Sequence, residues 1–155
     1  MKQLYLLLLP LLFISCEKTT ECCVVVDTSI DLQYRTEDGE DWLQQQQLNE
    51  KNISVYFINE SQKEIISKGK LYSPEMIIIN QDGSGKRILQ LFPSDYIKNN
   101  TSRTLIEFSA TDVDTVDCLF NTKNSSMICE EVRYNGKLVW SMNQGSPRII
   151  QVIKN

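Results

Sequence analysis

The sequence predicts an all-β protein, a sandwich of two packed antiparallel sheets. Three observations lead there. The apolar residues beyond position 15 fall in short, β-branched runs such as RILQLF and RIIQVI, separated by Gly, Pro, Asn, Asp or Ser. No stretch beyond that position sustains apolar residues at helical spacing through three turns. Finally, Tyr134-Asn135-Gly136-Lys137 holds the Asn-Gly pair that suits a two-residue type I′ hairpin turn, because both central residues tolerate positive φ.

The chain opens differently. From Leu4 to Ile14 every residue is apolar or aromatic except Pro10, a stretch of 11, whereas a bilayer-spanning helix needs about 20. Lys2 lies in front of it and small Ser15 behind it, the layout of an export signal that the mature chain loses. Its end, Phe13-Ile14-Ser15-Cys16, resembles the lipobox of bacterial lipoproteins, with Phe where Leu is commoner. The resemblance implies diacylglycerol on the Cys16 sulfur, cleavage before it and a further acyl group on the new amino terminus. Two or three acyl chains hold a protein on a membrane far longer than one. The expected division is residues 1–15 signal peptide, 16–24 anchor and tether, and 25–155 a single β-sandwich domain, immunoglobulin-like or transthyretin-like.

The strands are then placed in order. CCVVVDTSIDLQY is long enough for two strands about Asp27. Thr36 to Asn52, acidic and amide-rich with Gln44 to Gln47 at its centre, reads as a long polar loop. NISVYFI follows as a strand, and Asp82-Gly83-Ser84-Gly85 is the turn that joins EMIIIN to RILQLF. PSDYIKN, Pro93 to Asn99, is the best site for one helical turn. TLIEFSA, DTVDCLF, MICEEVRY, KLVW and RIIQVI complete about eight to ten strands. The Asn-Gly turn pairs Tyr134 with Lys137 and Val132 with Val139.

Export places the domain where disulfides persist. Apart from Cys16 there are Cys22, Cys23, Cys118 and Cys129, which allow three pairings. If 116–120 and 127–132 form a hairpin around NTKNSS, Cys118 directly faces Cys129, at a spacing of about 4.5 to 5.5 Å that a disulfide can bridge. That register also sets Asp117 against Glu130. The competing reading is a pair of buried free thiols. Cys22 and Cys23 point to opposite faces of a strand, so one packs inward and the other is unassigned. The four lack the two close pairs of a zinc site, and no metal is expected.

Asp27-Thr28-Ser29-Ile30, Gly39-Glu40-Asp41-Trp42-Leu43, Ile53-Ser54-Val55-Tyr56-Phe57, Asp112-Val113-Asp114-Thr115-Val116 and Tyr134-Asn135-Gly136-Lys137-Leu138-Val139-Trp140 together resemble a group of small lipoproteins from Bacteroidota bacteria. The likeness runs over nearly the whole mature chain. It implies an outer-membrane, lipid-anchored β-sandwich, on the periplasmic or the cell-surface face, and no particular activity.

Composition narrows the chemistry. Removing residues 1–15 from 155 leaves 140, with 15 basic residues against 20 acidic ones, so nucleic acid is repelled. The chain has no histidine, which excludes Ser-His-Asp and Cys-His catalysis. Asp82-Gly83-Ser84-Gly85-Lys86-Arg87 lacks the first Gly and the final Ser or Thr of a phosphate loop. Glu37, Asp38, Glu40 and Asp41 lack the alternating ligands of an EF-hand, and read as a solvated loop. Asp112, Asp114 and Asp117 form a second acidic cluster, whose carboxylates could serve a glycan hydrolase. Trp42 stands in the polar loop as the candidate ligand contact, whereas the other aromatics read as core. The expectation is a non-catalytic binding or assembly module without a cofactor. It meets the membrane through its anchor and an envelope protein or glycan through its domain. The carboxylate-dependent hydrolase is the alternative.

Overall fold

The computed structural model describes residues 25–59, 62–65, 76–123, 126–145 and 147–155. Cys16, Cys22 and Cys23 lie outside the described residues. In chain order the elements are β1 (Val26–Asp27), β2 (Ile30–Arg35), α1 (Trp42–Gln45), β3 (Ser54–Asn59), β4 (Gln62–Ile65), β5 (Ile77–Gln81), β6 (Arg87–Leu91), β7 (Thr101–Ser109), β8 (Asp112–Asn121), β9 (Met127–Tyr134), β10 (Lys137–Ser141) and β11 (Ile149–Ile153). They form two packed sheets, an all-β sandwich. One sheet runs β1-β9-β8-β7-β3-β4, with β10 also on β9; the other runs β11-β2-β6-β5.

Alternation builds the core. Ile30, Leu32 and Tyr34 of β2 face inward, as do Val116, Cys118 and Phe120 of β8, with Leu89 and Leu91 of β6 and Ile150 and Val152 of β11 completing the layer. Each such apolar side chain contributes about 1.5 to 3 kcal/mol on leaving water.

Two pairings depart from the expected antiparallel pattern. β1 lies parallel to β9, Val26 opposite Met127, and β11 lies parallel to β2, from Ile149 opposite Asp31 to Ile153 opposite Arg35. A parallel neighbour needs a long connection, and here nearly the whole domain intervenes between β2 and β11.

Both expected turns are present. Asn135 and Gly136 have φ of 48° and 80°, and Tyr134 pairs with Lys137. The register slips further along the hairpin, so that Trp140, not Val139, stands opposite Val132. The bulge leaves Val139 exposed and turns Trp140 into the core. In the other turn Asp82 Oδ1 accepts hydrogen bonds from the backbone N–H groups of Ser84 and Lys86, and Gln81 pairs with Arg87.

Two local expectations are corrected. Pro93 to Asn99 forms no helical turn. Ser94 is instead buried, its N–H donating to Thr104 Oγ1 and its hydroxyl accepting from the Tyr96 N–H, which fixes a non-helical path. The loop from Thr36 to Asn52 is partly ordered by α1. Asp41 caps that single turn by accepting from the Gln44 N–H, and also accepts from the Arg87 N–H.

Candidate functional site

Trp42 is the first sequence-predicted site that the structure moves. It is only 5% exposed, because the capped turn aims Trp42 and Leu43 into the sandwich and leaves Gln44 to Gln47 outside. Its ring packs edge-on against Phe108 at 5.2 Å and tilted against Tyr34 at 5.9 Å. Trp42 is therefore a core residue, and its assignment as a surface ligand contact is corrected. Its polar sequence context was misleading because a single helical turn has one inward face.

The acidic cluster on β8 divides. Successive strand residues point to opposite faces, so Asp114 is buried while Asp117, an odd number of residues away, faces outward. Asp117 is held by Arg103, at 2.6 and 2.9 Å. The three carboxylates therefore do not share one face: Asp112 and Asp114 keep the same parity, and Asp117 lies on the other side of the strand.

Asp112 and Asp114 instead meet a group from the other sheet. Lys154 follows β11, its N–H bonded to Arg35 O, and its Nζ contacts Asp112 Oδ1 and lies 2.9 Å from Asp114 Oδ2. Tyr134 donates its hydroxyl proton to Asp114 Oδ2, and Asn135 Nδ2 donates to Oδ1 at 3.0 Å. Tyr34 OH is 3.5 Å from Tyr134 OH. Burial, reinforced by the Asp114 charge, pushes the Tyr34 phenol well above its ordinary value. Tyr134 is pushed up as well, first by burial and then by Tyr34 and Asp114. Both phenols thus stay protonated. The Lys154 ammonium also lies 4.9 Å from the Phe108 ring centre and 5.4 Å from that of Trp42.

At the other end of β11, Arg148 makes the corresponding connection. Its guanidinium reaches both Asp27 carboxylate oxygens, at 3.0 and 3.2 Å, and Ser29 O at 2.8 Å, while resting over Trp140 at 4.7 Å. A surface cleft of about 420 Å³ opens here. Asp27, Ser29, Asp31 and Arg148 give it a polar side; Trp140, Met142, Pro147 and Ile149 give it an apolar one. Asp27 is engaged by Arg148. The Asp31 carboxylate has no such partner among the described residues.

Cys118 and Cys129 are both buried free thiols. The expected register is corrected: Cys118 stands opposite Val132, and Cys129 opposite Phe120, because β9 takes up an extra residue between the Leu119 and Phe120 pairs. The two thiols nonetheless interact, and Cys129 Sγ also donates to Glu131 O at 3.5 Å. Cys118, sharing its proton with Cys129 and buried, is pushed up. The Cys118–Cys129 hydrogen bond, helped by Arg148, lowers Cys129.

Neither the family models, the curated proteins nor the solved structures contain a significant match to this chain.

Lys154, Arg148, Tyr34 and Asp31 went unnoticed in the sequence, yet the signal for three of them was present. Arg148, Ile150, Val152 and Lys154 share one parity on β11, and Tyr34 shares that of Ile30 and Leu32. Asp31 has the opposite, outward parity. Its role depends on Pro147 and Trp140 arriving from elsewhere in the chain.

Proposed function

We propose that the protein is a lipid-anchored envelope lipoprotein of the outer membrane, acting as a non-catalytic binding or assembly module for an envelope protein. The observation that carries this reading is the cleft at Asp31, Trp140 and Arg148. Its volume falls in the range of ligand sites, and it combines apolar walls with a small number of polar groups. A carboxylate without a partner among the described residues, beside Trp140, Met142 and Ile149, suits a segment with a basic side chain flanked by apolar ones.

The anchor gives this cleft a setting. From Cys16 to Val25 the chain reaches at most about 30 Å, and β1, which begins at Val26, supplies Asp27 to the cleft. The binding surface then lies beside the tether, facing partners held at the same membrane. Capture from envelope extract tests the reading, with the domain immobilised as it stands and as Asp31→Lys. Recovery of one basic partner by the first and its loss by at least tenfold with the second is expected. Equal recovery by both would contradict the assignment of the cleft.

A further inference from the structure

The Lys154 cluster has the parts of a self-acylating site. We propose that Lys154 and Asp114 condense to an intramolecular isopeptide bond, a covalent link from the end of β11 to β8 and hence from one sheet to the other. This is independent of the reading of the cleft, which lies at the opposite end of β11.

The reacting groups are already in contact, with Lys154 Nζ 2.9 Å from Asp114 Oδ2. Their surroundings are dry and aromatic: Asp114 is 3% exposed, Tyr34 0% and Trp42 5%, and Phe108 lies against the ammonium. Little water competes for either group in such a place. Proton transfer from Nζ to Asp114 Oδ2, across that single contact, gives a neutral amine and a neutral acid.

The step balances without any outside reagent. The Lys154 nitrogen lone pair attacks Cγ of Asp114 and forms the C–N bond. Negative charge develops on Oδ1, where Asn135 Nδ2 already donates at 3.0 Å. The Asp112 carboxylate, in contact with Nζ, takes a proton from the nitrogen and returns it to the departing oxygen, Oδ2, which also receives the Tyr134 hydroxyl. The C–O bond breaks and one water leaves. Lysine ammonium and aspartate become one amide and one water, and Asp112 ends as the carboxylate it began as. Holding amine and acid in contact gives the reaction the advantage of an intramolecular one.

Intact-mass measurement of the full chain decides it, with Lys154→Arg and Asp112→Asn measured alongside so that any attached lipid cancels. Cooperative unfolding of each sample establishes that it is folded. The wild-type chain is expected to be lighter than its sequence by one water, and digestion to yield the peptides carrying residues 114 and 154 as one linked species. Lys154→Arg is expected at full mass, and Asp112→Asn at full mass or with at least tenfold slower linkage. A folded wild-type chain at full mass overturns the proposal. So does a water loss that persists in Lys154→Arg, which would place the dehydration elsewhere, as in an imide at Asp82-Gly83. Undiminished linkage in Asp112→Asn would overturn the proton-transfer role given to Asp112.

Discussion

At the scale of single residues, the chemistry of this protein is set by where polar groups are buried. Tyr34 and Tyr134 lie in the core with their hydroxyls close to Asp114, and both hold their protons above the ordinary phenol value. In the unfolded chain a tyrosine ionises near pH 10. The stability that these two groups supply is therefore complete below about pH 10. It is lost as pH rises beyond that, because the unfolded chain sheds protons that the folded one keeps. The slope is at most about 1.4 kcal/mol per pH unit for each tyrosine. Denaturant unfolding at pH 8 and at pH 11 is expected to show the loss, with Tyr34→Phe roughly halving it; an unchanged midpoint would contradict the burial of the hydroxyls. Such residues are legible where parity alone decides: Asp114 shares the parity of Val116 and Cys118, although the expectation grouped it with Asp117 in one acidic cluster. Trp42 was not legible. Its burial follows from the Asp41 cap, which satisfies the Gln44 N–H and the Arg87 N–H together, a contact across 46 positions that no local pattern announces.

At the scale of elements, β11 is the strand on which the site depends. Its inward row runs Arg148, Ile150, Val152, Lys154, a cation at each end and two apolar residues between. Arg148 joins the strand to Asp27 of β1, and Lys154 joins it to Asp112 and Asp114 of β8. The two sheets are thereby tied at both ends of one strand. The β9–β10 hairpin performs a related task, since the Asn135 side chain both accepts from the Thr115 N–H and donates to Asp114. Gly136, with φ of 80°, has open space where a side chain would stand but a backbone conformation that other residues resist. Gly136→Val is expected to cost about 1 to 2 kcal/mol, read as a lower unfolding midpoint; no loss would argue against the type I′ turn. Hairpins and turns were legible because their signals are local. The two bulges were not, since each shifts register by one residue to bury a particular side chain, Trp140 in one case and Cys129 in the other.

At the scale of the whole molecule, a sandwich of alternating strands was expected and is present, whereas the parallel placement of β1 and β11 was not legible. Chain direction in a sheet is decided by how distant segments close the core, and both strands reach their neighbours after long intervals. The architecture places β1, the cleft and the Asp27–Arg148 pair together, next to the segment that leads back to Cys16. A binding module held at a membrane by its amino-terminal lipid is the reading that joins these features. Intact mass of the mature protein purified from the envelope, with its amino-terminal peptide sequenced, tests that claim most directly. The account predicts a chain that begins at Cys16 and carries two or three acyl chains there. A chain whose sixteenth residue is an unmodified thiol would contradict it.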